Sequence, residues 1–177
     1  MIQETYVPTL AHQIAEGIGY MTHAEVELIH SLAPLLKPNA TCCNVGCGAA
    51  TSIIALLEQR PDLTMHSIDI DENNGMSQLH QAGMLPRIVK IVGDSKEVGW
   101  NFGAIDWLLI DGGHEEFEIR GDIKAWLPRM AQDSIMVFHD YGSVNWPHVE
   151  EVVNEYAYAY GWKLLGHADT LIAFQLV

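Results

Sequence analysis

The end of the chain restricts its architecture most. Two apolar runs, Trp162 to Leu165 and Leu171 to Val177, are separated only by Gly166-His167-Ala168-Asp169-Thr170. A parallel crossover needs a dozen or more residues, so these runs must pair antiparallel. Upstream the pattern differs. Short apolar runs alternate with amphipathic stretches, which is the mark of parallel strands joined through helices. The expected fold class is α/β: a doubly wound sheet, mostly parallel, finished by an antiparallel C-terminal hairpin strand.

Local signals place the elements. A helix is expected over roughly residues 8–18, and a second from Thr22, where Thr22-x-x-Glu25 reads as a capping box. Val26, Ile29, Leu32 and Leu36 recur at helical spacing until Pro34 and Pro38 weaken and end the run. Strands are expected at Ala40–Val45, Leu63–Ile70, Arg87–Val92, Ala104–Ile110 and Ser134–Phe138. Helices fall between them, over about 49–59, 73–83 and 115–130, with another from Asn145 to about Tyr160. No linker or repeat interrupts the pattern. A single domain over 1–177 is expected, with N-terminal helices over 1–38 and the sheet-bearing core over 39–177.

Charge narrows the partners. The formal net charge is −14, from 23 acidic residues against 9 Lys plus Arg. Nucleic-acid binding depends on neutralising phosphates, and anionic membranes make the same demand. Neither is expected as a partner; a small molecule, or a metal held by carboxylates, suits the chain better. MIQETYVPTL lacks a basic stretch followed by an apolar run. No long uncharged apolar stretch predicts a membrane span. A cytoplasmic setting is the resulting expectation. Cys42, Cys43 and Cys47 lie within six residues of one another. Adjacent strand residues face opposite sides, and the spacing is not a zinc pattern, so the cysteines read as buried packing.

Several strand ends carry chemistry. Asn44-Val45-Gly46-Cys47-Gly48-Ala49-Ala50-Thr51 joins the first strand to a helix. Gly46 and Gly48 allow a sharp turn and close approach of a ligand to the backbone. Asp69 ends the second strand, where a carboxylate can accept from a ribose diol; Asp71 is its competitor for that role. Thr51 stands where a dinucleotide fingerprint wants Gly or Ala, which disfavours a pyrophosphate site. Gly93-Asp94-Ser95 ends the third strand. Asp94 is placed either to accept from an adenine amino group or to cap a helix. The next two strands end in Asp111-Gly112-Gly113-His114 and His139-Asp140. Adjacent strands lie about 4.8 Å apart, so Asp111 and Asp140 can share one divalent ion. His114 and His139 are general-base candidates. The alternative is that both acids merely cap the adjoining helix and turn.

With these segments the sequence resembles class I S-adenosylmethionine (SAM) dependent methyltransferases. The similarity is to the group that includes macrocin-type O-methyltransferases and cephalosporin-hydroxylase-like proteins. It covers about residues 18–142, through Gly19-Tyr20-Met21-Thr22-His23-Ala24-Glu25, the Gly46/Gly48 turn, Gly93-Asp94-Ser95, Asp111-Gly112-Gly113-His114 and His139-Asp140. The resemblance implies a Rossmann-like fold, which has the same antiparallel finish. It implies a cofactor site that includes Asn44, Gly46, Cys47, Gly48, Thr51, Asp69, Asp94, Ser95 and Asp111. Gly46 and Gly48 would pass the methionine part, Asp69 would hold the ribose, and Asp94 with Ser95 would flank the adenine. It implies Mg²⁺ or another divalent metal on Asp111, His139 and Asp140, with His114 or His139 taking a proton from the acceptor hydroxyl.

Three positions depart from the family pattern. Asn44 replaces an acid, Ala131-Gln132-Asp133 replaces Pro-Gly-Gly, and His139 stands where a third carboxylate is common. The expected activity is methyl transfer to an oxygen of a small molecule. Two alternatives stay open: a SAM-binding accessory or sensing domain without transfer, and a nicotinamide-dependent oxidoreductase. With no long insertion, the substrate cover would come from the N-terminal helices, the loop around Tyr141–Trp146, or a second subunit in a homo-oligomer. Trp107 and Trp126 read as core, and Trp100 and Trp146 as candidate substrate walls.

Overall fold

Strands that read as unbroken apolar runs need cover on both faces, and this chain supplies it with helices. The computed structural model describes residues 7–18 and 20–177. Gly19, part of one family segment above, and the first six residues of the N-terminal stretch lie outside the described residues. The elements run α1 (Leu10–Ile18), α2 (His23–Leu32), β1 (Thr41–Val45), α3 (Thr51–Gln59), β2 (Thr64–Asp69), α4 (Met76–Gln81) and β3 (Ile88–Val92). They continue with α5 (Ser95–Val98), β4 (Ile105–Ile110), α6 (Glu116–Trp126), β5 (Met130–Phe138), α7 (Pro147–Tyr160), β6 (Lys163–Ala168) and β7 (Leu171–Gln175).

The sheet has seven strands in the order β3-β2-β1-β4-β5-β7-β6. The first five are parallel, and β7 runs antiparallel to both β5 and β6. The expected hairpin finish is therefore present, but β7 inserts between β5 and β6. The strand order reverses between β1 and β4, which is where open α/β sheets bind ligands.

Alternating side chains divide the core into two layers. Cys42, Trp107 and Leu109 face one side with α1, α2 and α3. Cys43, Leu108 and Ile110 face the other with α6 and α7. The adjacent cysteines thus part to opposite faces, and burial pushes the Cys42 thiol up to about 12. They serve packing. Trp107 and Trp126 are buried as expected.

Three local differences from the sequence expectations have physical causes. Helix α6 stops at Trp126, because Pro128 sits in the next turn and converts it to a single 3-10 turn. Strand β5 then starts earlier than expected, at Met130, and a register shift against β4 absorbs Ala131-Gln132-Asp133. The short helix α5 has no counterpart among the expected elements. Asp94 caps it, accepting from the Lys96 amide at 2.9 Å.

The parallel ladders each end in one further bond at the carboxyl edge. Gly46 N donates to Ile68 O, Gly93 N to Asp69 O, Asp111 N to Val45 O and His139 N to Ile110 O, at 2.8–3.1 Å. This stitching fixes the four strand-end loops relative to one another. Gly46 has φ +79°, and a Cβ there would collide with the Asp111 carbonyl. Gly48 has φ +46° and open space around it. Gly46→Ala should therefore cost about 3 kcal/mol or more in urea unfolding, and Gly48→Ala only the left-handed backbone strain of about 1–2 kcal/mol. Equal losses for the two variants would contradict the account of the turn.

Candidate active site

The carboxyl edge carries two cavities. The first, about 550 Å³, lies over β1, β2, β3 and β4 and is lined by Gly46, Gly48, Asp69, Asp94, Ser95 and Asp111, among others. The second, about 430 Å³, is lined by Tyr20, Met21, Thr51, His114, His139 and Trp146, with Cys47 and Asp140. They share Gly48 and Asp111. A ligand in one is therefore next to a ligand in the other.

Asp69 is built into the first cavity's floor. Its Oδ2 accepts from the Cys47 amide at 2.7 Å, and its Oδ1 from the Asp71 amide at 2.8 Å and from Asn74. Burial would raise its pKa, but these bonds outweigh it and hold it below the usual carboxylate range. Asn74 also donates to Oδ2, at 3.2 Å, so the four acceptor positions are filled and a diol would enter by displacing the Asn74 amide. Asp71 is exposed and turns away to the Asn73 amide. Ser95 Oγ donates to Asp122, a buried acid of α6 whose pKa is raised by that burial. Asp94 caps α5 and also lines the cavity, so capping and ligand contact are compatible roles.

Asn44 stands apart from the other expected cofactor-site positions. It is buried behind the turn, donates to the Gly46 carbonyl and accepts from Ser52 Oγ, and lines neither cavity. Its side chain shapes the turn. Cys47 and Thr51 open on the second cavity and not on the first. Asp111 caps no helix either: the α6 cap is Glu115, in a capping box with Glu118.

The second cavity holds a network of imidazoles and carboxylates. His139 Nδ1 lies 3.2 Å from both Asp111 Oδ1 and Asp140 Oδ2, and its Nε2 lies 3.5 Å from Glu25 Oε2. Burial pushes the His139 pKa down, but Asp111, Asp140 and Glu25 together outweigh it and lift it to about 12. His114 Nε2 sits 2.8 Å from Asp140 Oδ2, which raises its pKa above the ordinary imidazole value. Asp140 is correspondingly depressed: burial opposes ionisation, and the two imidazoles prevail. Trp146 stacks on His114 with ring centroids 4.6 Å apart. It stands at the cavity wall, as expected; the Trp100 side chain lies outside the described residues.

Glu25 is the residue that sequence reasoning places but does not interpret. Its Oε2 closes the capping box on the Thr22 amide. Its Oε1 receives the amide and hydroxyl of Thr170 in the β6–β7 turn, at 2.9 and 2.7 Å. Only the fold shows that this fully buried carboxylate also faces His139. Asn74, Lys96 and Glu118 likewise join the first cavity from helices and loops that the motifs do not mark. Asp106, in contrast, sits near the opposite end of β4, paired with Lys37 and the Thr41 amide.

One ligand atom from each of Asp111, His139 and Asp140 falls within 4.8 Å of the others. Two carboxylates and an imidazole suit Mn²⁺, Fe²⁺ or Zn²⁺ better than Mg²⁺. Glu25 behind the second ring nitrogen matches the carboxylate–imidazole support of many metal sites. The residues therefore fit a divalent transition metal, which would replace the proton on His139 Nδ1.

A Rossmann-like sheet with an inserted antiparallel last strand, a glycine turn, and cavity-lining acids at the ends of β2 and β3 defines the class I SAM-dependent methyltransferase fold. The sequence matches the family model described as a methyltransferase domain over residues 43–141, more than half of the chain. The chain belongs to that family.

Solved structures share its fold at low identity. A Staphylococcus aureus protein provisionally named a caffeoyl-CoA O-methyltransferase aligns with TM-score 0.75 at 14% identity, over 96% of this chain and 92% of the other. The O-methyltransferase TomG of Streptomyces achromogenes, involved in tomaymycin synthesis and solved with SAM, gives 0.71 at 15%, over 99% and 92%. MycE from the mycinamycin pathway, solved with Mg and S-adenosylhomocysteine, gives 0.67 at 12%, over 96% and 55%. No curated protein matches the sequence. Among the described residues, no helix is long and apolar enough to cross a membrane.

The ion network makes stability pH-dependent. His139 titrates higher folded than unfolded, so its stabilisation is complete below pH 6.5 and is lost as pH rises toward 12. In chelator, unfolding free energy should fall by roughly 1–3 kcal/mol from pH 7 to pH 9. His139→Gln should flatten most of that slope in urea titrations. An unchanged slope would disprove the assignment.

Proposed function

We propose that the protein transfers the methyl group of SAM to a hydroxyl oxygen of a small molecule, with the cofactor in the first cavity and the acceptor in the second. The observation that carries this reading is that the two cavities meet at Gly48 and Asp111. A sulfonium methyl at that junction points from one to the other.

Charge favours SAM over a dinucleotide. Asp69, Asp94, Asp111, Glu118 and Asp122 line the first cavity against Lys96. Those acids attract a sulfonium and repel a diphosphate.

In the proposed reaction the acceptor oxygen attacks the methyl carbon in line. The carbon–sulfur bond breaks with its electron pair going to sulfur, which leaves S-adenosylhomocysteine. The hydroxyl proton passes to His114. Its Nε2 faces Asp140, so Nδ1 carries the lone pair of the neutral ring. Trp146 holds the ring in place by stacking. Asp111, His139 and Asp140 would hold a divalent metal, which supplies orientation and a lowered hydroxyl pKa. Glu25 positions His139.

His114→Ala should lower kcat by about 10²–10⁴. Its affinity for S-adenosylhomocysteine should stay within a few-fold, because His114 does not line the first cavity. Asp69→Ala should show the reverse, with cofactor affinity down about tenfold or more. Calorimetry and release of S-adenosylhomocysteine with catechols and hydroxylated sugars measure both. Tighter binding of NAD than of SAM would defeat the reading. With a reactive acceptor, kcat should rise with pH through a value above 6.5, because His114 must be neutral to act.

A further inference from the structure

The N-terminal helices carry a second imidazole–carboxylate cluster that the active site does not use. His12 on α1 is fully buried, and the His30 side chain on α2 is 10% exposed. His12 Nδ1 turns back to Thr9, accepting from its amide at 3.2 Å and lying 2.8 Å from its hydroxyl. Its Nε2 therefore faces α2, 3.0 Å from Glu27 Oε1. Thr9 Oγ1 donates onward to Glu58 Oε1 at 2.6 Å, and the same oxygen meets His30 Nε2 at 2.7 Å. One ligand atom each from His12, Glu27 and His30 falls within 4.8 Å of the others. His23 packs edge-on against His12, with ring centroids 4.8 Å apart.

A simple ion pair explains this arrangement poorly. Charging a fully buried imidazole costs desolvation, and the Glu27 side chain is 55% exposed, so it compensates weakly. Neutral imidazoles beside a carboxylate are instead the donors of a zinc site. Tetrahedral bonds of 2.0–2.1 Å would space donors about 3.3 Å apart; His12 and Glu27 stand at 3.0 Å. The chain from His12 through Thr9 to the largely buried Glu58 is the kind of outer support that orients a ligating ring.

We infer that His12, Glu27 and His30 form a binding site for a divalent transition metal, Zn²⁺ by its donor set, which clamps α1 to α2. The segment joining those helices contributes Tyr20 and Met21 to the wall of the second cavity. A metal there would thus brace that wall, and its residues are separate from the Asp111–His139–Asp140 cluster.

The test is a Zn²⁺ titration of chelator-treated protein, read by calorimetry and thermal unfolding. An Asp111→Asn/Asp140→Asn background silences the strand-end cluster. One zinc per chain should bind with micromolar or tighter affinity and raise the unfolding midpoint. Adding Glu27→Gln, at a half-exposed helix position that leaves the fold intact, should weaken binding tenfold or more. Co²⁺ in the background protein should show the visible bands of a four-coordinate site, and these should fade in the same variant. Failure to take up zinc at micromolar levels overturns the inference. So does a zinc affinity indifferent to Glu27→Gln.

Discussion

The contact on which the site depends is between the turn after β1 and the end of β4. Gly46 lies so close to the Asp111 carbonyl that no Cβ fits between them. The Asp111 amide also bonds to Val45 O. Both loops are thereby fixed at the point where the strand order reverses. Everything downstream uses that fixed edge. Asp69 holds the Cys47 amide from one side, and Asn44 holds the Gly46 carbonyl from beneath. The two cavities meet there because the backbone leaves no side chain in the way.

A second constraint is electrostatic. Glu25, Asp111 and Asp140 surround His139, and all are wholly or partly removed from water. Taking charges out of water costs several kcal/mol per ion, and removing one partner leaves the others exposed to that cost. The cluster is therefore coherent only as a whole. Glu25 brings the start of α2 and the β6–β7 turn into it through Thr22 and Thr170. The N-terminal helices and the terminal hairpin, far apart in sequence, are both anchored to the chemistry by one carboxylate.

Such long-range dependence separates the legible features from the hidden ones. Parallel strands, the hairpin and the strand-end motifs are legible in the sequence because they are local patterns of burial and turn chemistry. The boundaries of α6 and β5 escape it because Pro128 and a register shift, rather than periodicity, decide them. Family position assigns Asn44 to the cofactor, yet its partners are its own turn and Ser52, eight residues on. Glu25 is legible as a cap because capping is local. Its partnership with His139 spans more than a hundred residues and follows only from strand order. The same holds for Asp122, whose bond to Ser95 joins α6 to α5.

The distribution of charge links the fold back to selectivity. A net charge of −14 spread at random would disfavour any anionic ligand only weakly, since salt screens exposed charges within about 8 Å. Within the first cavity the same sign acts at contact distance and in partial burial, where screening is poor. Lys96, the cation among its lining residues, is already paired with Asp94 at 2.9 Å. The cavity therefore retains an uncompensated negative field. A ligand with a sulfonium is stabilised there throughout its stay, but its neutral thioether product is not. With SAM in this cavity as proposed, that difference would favour departure of S-adenosylhomocysteine relative to SAM, so the acids that help admit the cofactor would also help clear the site after transfer.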